Sequence, residues 1–497
     1  MARGAARGWI VGVLSLAAAL VGISSAVVAQ DRPKPAEYRS ERVVLYTDLP
    51  AEKAKEWLAE LEKVLDFAVA HWQRPSRGLI ECYLVGDLAN WKASVVERGR
   101  DAIEAGSGVT ITQTLRNSSG VQARAVVYAS AKGSSIKHEM VHAYCRQSFG
   151  EVGPLWYAEG MAEVGQYFTG DYQGVDCEAN LARYLRDKPP PSLEDVLAMK
   201  QRGGEGYAWT WTLCHLLTHH PRYADRFRQF GVAAVSGKKA DFRMTMAKDL
   251  ERIDFERRLM LSHFERGYRV DLCAWDWDTP FGPPLPGTSR ELSVEAVRGW
   301  QATGLEVKSG DRVPFRTQGT WRLKKNGPSI TAQGGRDGAG RLVGVLLTDG
   351  KLGEPFDLGR QGTWTAPADG RLFVRCRDAW NELADNEGSI TLTLPAAEGV
   401  PPPKEQVTLA GGNSKTAAGK ATSSAASSLA KAAAKPSAKQ PAKAPSAEAQ
   451  AASKLGVAKL LLASKPDVAK RRLTEIVEQF PGTAAAKEAA ELLKGLE

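Results

Sequence analysis

Two short strings constrain this chain more than anything else in its 497 residues: HEMVH at 138–142 and WYAEGMAE at 156–163. In the first, His138 and His142 are four residues apart. On a helix both rings leave one face, a single turn apart, and can grip one cation. Glu139 lies beside them, placed to take a proton from a water held by that cation. The second string offers Glu159 as a third ligand. Two neutral imidazoles, one carboxylate and an open fourth position describe a reactive zinc site, because a structural zinc has all four positions filled by protein.

Local signals make both strings helical. Gly133 ends the preceding segment, Ser134 and Ser135 are N-cap types, and a helix over about 135–147 follows. Gly150 and Gly153 break the chain, and Pro154 suits the first turn of a second helix. On that helix Glu159 and Glu163 are four apart on one face. A short turn between the helices can bring Glu159 back to the histidines and set Glu163 behind one of them, accepting its free ring N–H. The competing reading is a chance string on an ordinary helix. A chain with only seven histidines argues against it, since two of them and a glutamate meet at this spacing.

At these residues the chain resembles the gluzincin metallopeptidases, in which an HExxH helix is followed by a glutamate ligand on the next helix. That glutamate often lies within a W-x-x-E-G-x-A type string, which here reads Trp156-Tyr157-Ala158-Glu159-Gly160-Met161-Ala162. The resemblance implies that His138, His142 and Glu159 bind Zn2+, that Glu139 is the general base, and that Glu163 is the carboxylate behind a ligand. It implies hydrolysis of a peptide or protein substrate. It also implies an edge strand just before the zinc helix, at residues 121–130 (VQARAVVYAS), pairing with extended substrate. The 16 residues between His142 and Glu159 are slightly fewer than in the best-known members. The likeness spans about residues 38–269 and is nearest an uncharacterised group of exported bacterial gluzincin-like proteins. An oxyanion donor is also required, for which Tyr207, His215 or another downstream residue is a candidate.

The expected fold class is multidomain: an α+β unit with a mixed sheet followed by helices at 38–279, an all-β sandwich at 290–395, a disordered linker at 400–453 and a short helical repeat at 454–497. Residues 1–29 read as an export signal, with Arg3 and Arg7 ahead of an apolar run and Val27-Val28-Ala29 as a small-residue cleavage site. An uncleaved anchor is the alternative, because the run approaches spanning length. Residues 403–497 hold 15 Lys and Arg against 8 Asp and Glu, and the first 29 add two Arg, so the middle of the chain is near neutral. The net charge of +9 is therefore a property of the ends, and no nucleic-acid partner is expected. Six scattered cysteines contain no CxxC. Export permits disulfides, and Cys177, Cys214 and Cys273 are candidates for one bridge, while Cys145 reads as a buried, inert thiol.

Within the first unit, strands are expected at 42–47, 79–85, 109–114 and 121–130, with an amphipathic helix over 50–72. Helices are expected at 180–185, 192–199, 206–219, 223–230 and about 244–258. His215 and His219 are again four apart, but Leu216 stands where a catalytic acid would be, and a helix face with polar contacts is the better reading. The string PFGPPLPG marks a linker at 280–289.

Strands at 294–303, 312–318, 342–347, 362–366, 370–376 and 388–394 compose the sandwich. The phrases WQATGLEVKSGDRV, GTWTAPADGRLFVRCRD and ADNEGSITLTL resemble the small bacterial calcium-dependent galactose-binding lectins. That resemblance implies Ca2+ on Asp378, Asp385 and Asn386, holding a carbohydrate. Trp380-Asn381-Glu382 interrupts the lectin pattern, and a packing or adhesion module without ligand is the alternative. The Ala/Lys/Ser/Pro tract at 401–453 cannot bury apolar area to offset its ordering. It is a solvated linker or a binder of anionic cell-surface polymer. The tail pattern A-x-x-x-L-x-x-I-x-x-x-F-P-G-T resembles a tetratricopeptide repeat of one to one and a half units, which docks on a protein partner or on its own chain. As a whole the chain reads as an exported zinc metallopeptidase. Its rival is a non-catalytic surface scaffold with a vestigial metal site.

Overall fold

A computed structural model describes residues 33–117, 120–172, 174–200, 205–284, 288–395, scattered positions between 447 and 459, and 466–495. The expected export signal at 1–29 and nearly all of the 400–453 tract lie outside the described residues. The content is mixed α and β, as a multidomain α+β chain requires.

The first sheet has the order β1 (Ala36–Arg39), β2 (Val43–Thr47), β3 (Ile80–Val85), β5 (Gly120–Ser130), β4 (Gly108–Asn117). β2, β3 and β5 are parallel, and β1 and β4 are antiparallel edges. The helix Ala51–Trp72 crosses from β2 to β3 and buries Leu61 and Leu65 on the sheet, with Trp57, Leu58 and Val69 packed partly against it. β5 feeds the helix Ser135–Phe149, and a five-residue turn leads to the helix Leu155–Gln166.

Four expectations are corrected. β1 was not anticipated, because AEYR carries too little apolar alternation to declare a strand. The strand before the HEMVH helix, β5, is internal, and the edge beside the site is β4. The single helix expected at 244–258 is broken into Phe242–Met246 and Leu250–Ser262 by a 3-10 turn at Ala247–Asp249. There Asp249 is buried and paired with Arg226 and Arg252. Finally, all six cysteines are buried and unbonded. Burial pushes Cys177 and Cys273 up to about 12, away from thiolate chemistry.

Two facing sheets make up residues 290–394: β10 (Lys351–Leu352), β9 (Leu342–Thr348), β13 (Gly370–Cys376), β7 (Gln301–Val307), with β11 (Phe356–Asp357) beside β9; and β12 (Gln361–Thr365), β8 (Arg312–Arg322), β14 (Glu387–Leu394), β6 (Arg290–Glu295). Trp321, Leu346, Val374 and Leu392 are among the residues of their shared core. The run expected as one strand at 294–303 is two, in different sheets. The chain turns between Glu295 and Gln301, whose amide bonds both the N–H and the carbonyl of Glu295.

The outer face of β9, β13 and β7 is not solvated. Val343, Val345 and Phe373 share a core with Trp275 and Trp300, against which Phe255 and Leu259 of the Leu250–Ser262 helix pack. Glu256 anchors this contact from beneath. Its buried carboxylate accepts from Tyr223 Oη (2.6 Å), Trp277 Nε1 (2.8 Å), Trp275 N (3.0 Å) and His220 Nε2 (2.5 Å). His220 Nδ1 accepts from Arg222 N, so Nε2 carries the donated proton. The expected linker also begins packed: Phe281 lies on Phe373 and Gly282 N donates to Gly304 O.

The helices Pro466–Gln479 and Ala484–Lys494 pack through Leu473, Ile476, Ala486 and Ala489, and Thr483 caps the second by accepting from Ala486 N at 3.1 Å. Arg472 Nη2 reaches Ala105 O at 3.1 Å, so the pair touches the first sheet's unit.

Candidate metal centre

The HEMVH helix starts at Ser135 with Ser134 in the cap position, although no side-chain cap bond forms. It ends at Gly150, whose positive φ of 96° lets its N–H reach Arg146 O and Cys145 O. Pro154 occupies the cap position of the next helix rather than its first turn. This tight reversal lays the two helices side by side. Gly165 permits their approach: a Cβ there would stand 2.3 Å from Val141 Cγ2. Gly160 does the same on the far side, where a Cβ would meet Cys214 Sγ at 2.5 Å and Thr210 O at 2.6 Å. The glycine following Glu159 therefore lets the Glu205–His219 helix close over the site.

His138 Nε2, His142 Nε2 and Glu159 Oε2 form a nearly equilateral triangle with sides of 3.2, 3.3 and 3.4 Å. Among the described residues this is the one group of three or more His, Cys, Asp or Glu side chains that could hold a metal ion. In a tetrahedral centre with bonds near 2.05 Å, donors stand about 3.3 Å apart, so the residues fit zinc. Glu163 Oε1 lies 3.0 Å from His138 Nδ1 and fixes Nε2 as the outward nitrogen. Glu159 is 1% exposed, and a carboxylate so buried needs compensating charge. Burial works to raise its carboxyl, but hydrogen bonds with both imidazoles outweigh this and hold it well below the usual carboxylate range. Burial disfavours a charged His138, yet Glu159 and then Glu163 overcome that and lift it to about 10. The pocket thus attracts positive charge.

Glu139 points the other way, toward the edge strand. Its Oε2 accepts from Thr110 Oγ1 at 2.7 Å. Gly108 makes room for it, since a Cβ there would stand 2.8 Å from Glu139 Cγ. A cavity of about 180 Å³ opens between β4 and the triangle, lined also by Tyr207, Val152 and Arg146. The Tyr207 ring is 5.7 Å from that of His138. Of the two named oxyanion-donor candidates, Tyr207 lines the cavity and His215 does not. His215 is buried against Trp211, and His219 stacks on Tyr172 at 3.8 Å, so their helix face makes ring contacts and not the expected polar ones. Thr110 was missed by sequence reasoning. The one available signal was that its strand precedes the helix by a hairpin.

In the sandwich, Asp378 is half-buried, Asn386 is buried and Asp385 is exposed. Asp378 Oδ2 and Asn386 Oδ1 are buried without a hydrogen-bond partner. Burial raises the Asp378 carboxyl. Between them in sequence, Trp380 stacks on His263 at 4.4 Å and Asn381 Nδ2 donates to Arg266 O at 3.2 Å. Arg375 lies over the Trp380 ring at 3.8 Å and donates to Asp378 O.

No protein-family model matches the chain, and no curated protein does. Among solved structures it is similar to one described as the EclA N-terminal domain, a PllA-like lectin, at 20% identity over 21% of this chain and 94% of that one, with a TM-score of 0.19. It is also similar to a functionally unknown conserved protein from Bacillus anthracis str. Ames, at 12% identity over 22% of each chain, with a TM-score of 0.14.

Proposed function

We propose that the chain is a zinc-dependent hydrolase of peptide bonds, exported from the cell. The observation supporting this is the donor triangle of His138, His142 and Glu159, whose sides of 3.2–3.4 Å suit a tetrahedral ion with one position left for solvent. Zinc would supply Lewis acidity and a water of lowered pKa. Glu139 is the base: its carboxylate borders the same cavity and is held by Thr110 of the edge strand. Glu163 keeps His138 in the tautomer that ligates. Tyr207 lines the same cavity and serves as the donor to the developing oxyanion.

The zinc-loaded full chain should cleave peptides from a broad library. Chelation should abolish cleavage and zinc restore it, and Glu139→Gln should retain zinc without cleaving. A zinc-loaded wild type that cleaves nothing in the library would favour the scaffold reading.

We read the sandwich as a packing module. Trp380 and Asn381, which interrupt the lectin pattern, are the residues that dock onto His263 and Arg266. The unpartnered oxygens of Asp378 and Asn386 favour bound Ca2+ as a second reading. A calcium titration showing saturable binding, lost in Asp378→Ala, would support it.

A further inference from the structure

The HEMVH helix carries one more side chain into the cavity. Arg146 follows His142 by four residues, as His142 follows His138, and lines the same cavity as Glu139 and Glu159. Among the described residues around this cavity it is the single permanent cation. Its acidic partner is Glu151, at 3.4 Å, whose side chain is 60% exposed. A pair that wet and that long contributes little and exchanges readily for a better acceptor. The guanidinium fork is built to hold a carboxylate through two parallel hydrogen bonds. The remaining acidic groups of the cavity are already engaged: Glu139 by Thr110, and Glu159 by the two imidazoles.

Position sets what such an anion would be. Four residues of helix rise about 6 Å, the span of roughly two residues of extended chain. An anion on Arg146 therefore belongs to the substrate residue next to the scissile bond or to a chain terminus one residue further. We propose that Arg146 makes the cleft selective for peptides bearing a carboxylate, either a C-terminal one or an Asp or Glu side chain, within two residues of the bond cleaved. This rests on the peptide-hydrolase reading of the same site and names its substrate class.

The test uses the zinc-loaded full chain carrying Glu139→Gln, so that binding is read without turnover. The probes are N-acetyl-Ala-Ala-Ala as free acid and as amide, N-acetyl-Ala-Ala-Glu-amide and N-acetyl-Ala-Ala-Lys-amide. The two acidic probes should bind about tenfold or more tightly than the neutral amide. Adding Arg146→Met should bring that ratio to about one with zinc content unchanged. Adding Arg146→Glu should shift the preference to the lysine peptide. An acidic preference that survives Arg146→Met, or equal binding of acid and amide before that change, overturns the proposal and leaves the hydrolase reading standing. Zinc binding with no affinity for any of the four probes, and no cleavage by wild type, overturns the hydrolase reading itself.

Discussion

Thr110 Oγ1 stands 2.7 Å from Glu139 Oε2 and 2.9 Å from the Glu139 carbonyl oxygen, tying the edge strand β4 to the middle of the HEMVH helix. The hydroxyl has one proton to give, and the carboxylate is the stronger acceptor. The Glu139 carboxylate is therefore held against β4. Thr110→Val keeps the shape and removes the donor. It should lower kcat about tenfold, while zinc content stays at the wild-type level and Thr110→Ser restores most of the rate. Loss of zinc in Thr110→Val, or an unaltered kcat, would contradict this role.

Glu163 Oε1 lies 3.0 Å from His138 Nδ1 and would act on a bound metal through that ring. Glu163→Gln should weaken zinc affinity by about 10–100-fold in a competition titration with a chromogenic chelator, with little change in the far-UV spectrum. Glu159→Ala should remove tight binding altogether.

The glycine of the AEG string is a packing device. Gly160→Ala places a methyl 2.5 Å from Cys214 Sγ and 2.6 Å from the Thr210 carbonyl. A backbone oxygen cannot yield as a flexible side-chain end can. This substitution should destabilise the chain by about 1–3 kcal/mol in denaturant unfolding, whereas Gly106→Ala, which meets no neighbour within 4 Å, should cost only its positive-φ strain.

The helical pair was readable because its information is local: the four-residue spacings of His138 with His142 and of Glu159 with Glu163 place each pair on one face, and Gly150 to Pro154 enforce the reversal. What brings Thr110 to Glu139 is not local. The two are separated by 29 residues, and the contact depends on β4 lying outside β5 in the sheet order. The sequence alternation marks both strands but is silent on which becomes the edge. The same limit hid Glu256, an ordinary-looking helical residue that gathers four donors from two distant segments, 220–223 and 275–277. Trp380 and Asn381 were visible only as a departure from a pattern. Their use, docking against His263 and Arg266, required the two units side by side.

Depressed histidines contribute to the acid limit of stability, the buried His215 among them. Burial pushes His71 down to about 3, His219 to about 4 and His263 to about 4, from an ordinary 6.5. Each binds a proton in the unfolded chain before it does in the folded one. Their contribution is whole above pH 6.5 and is lost as pH falls from there toward 4 and below. His263→Phe keeps a ring on Trp380 and removes one such group. Its denaturation midpoint should fall less steeply between pH 6.5 and 4 than that of the wild type, and parallel curves would contradict the assignment.

The central claim is that His138, His142 and Glu159 hold one zinc ion per chain. Elemental analysis of the purified full chain, beside His142→Ala and Glu159→Ala, tests it most directly. The account predicts about one zinc per wild-type chain and near none in either variant, with folding retained. Zinc absent from the wild type after incubation with the metal, or retained undiminished in both variants, would contradict it.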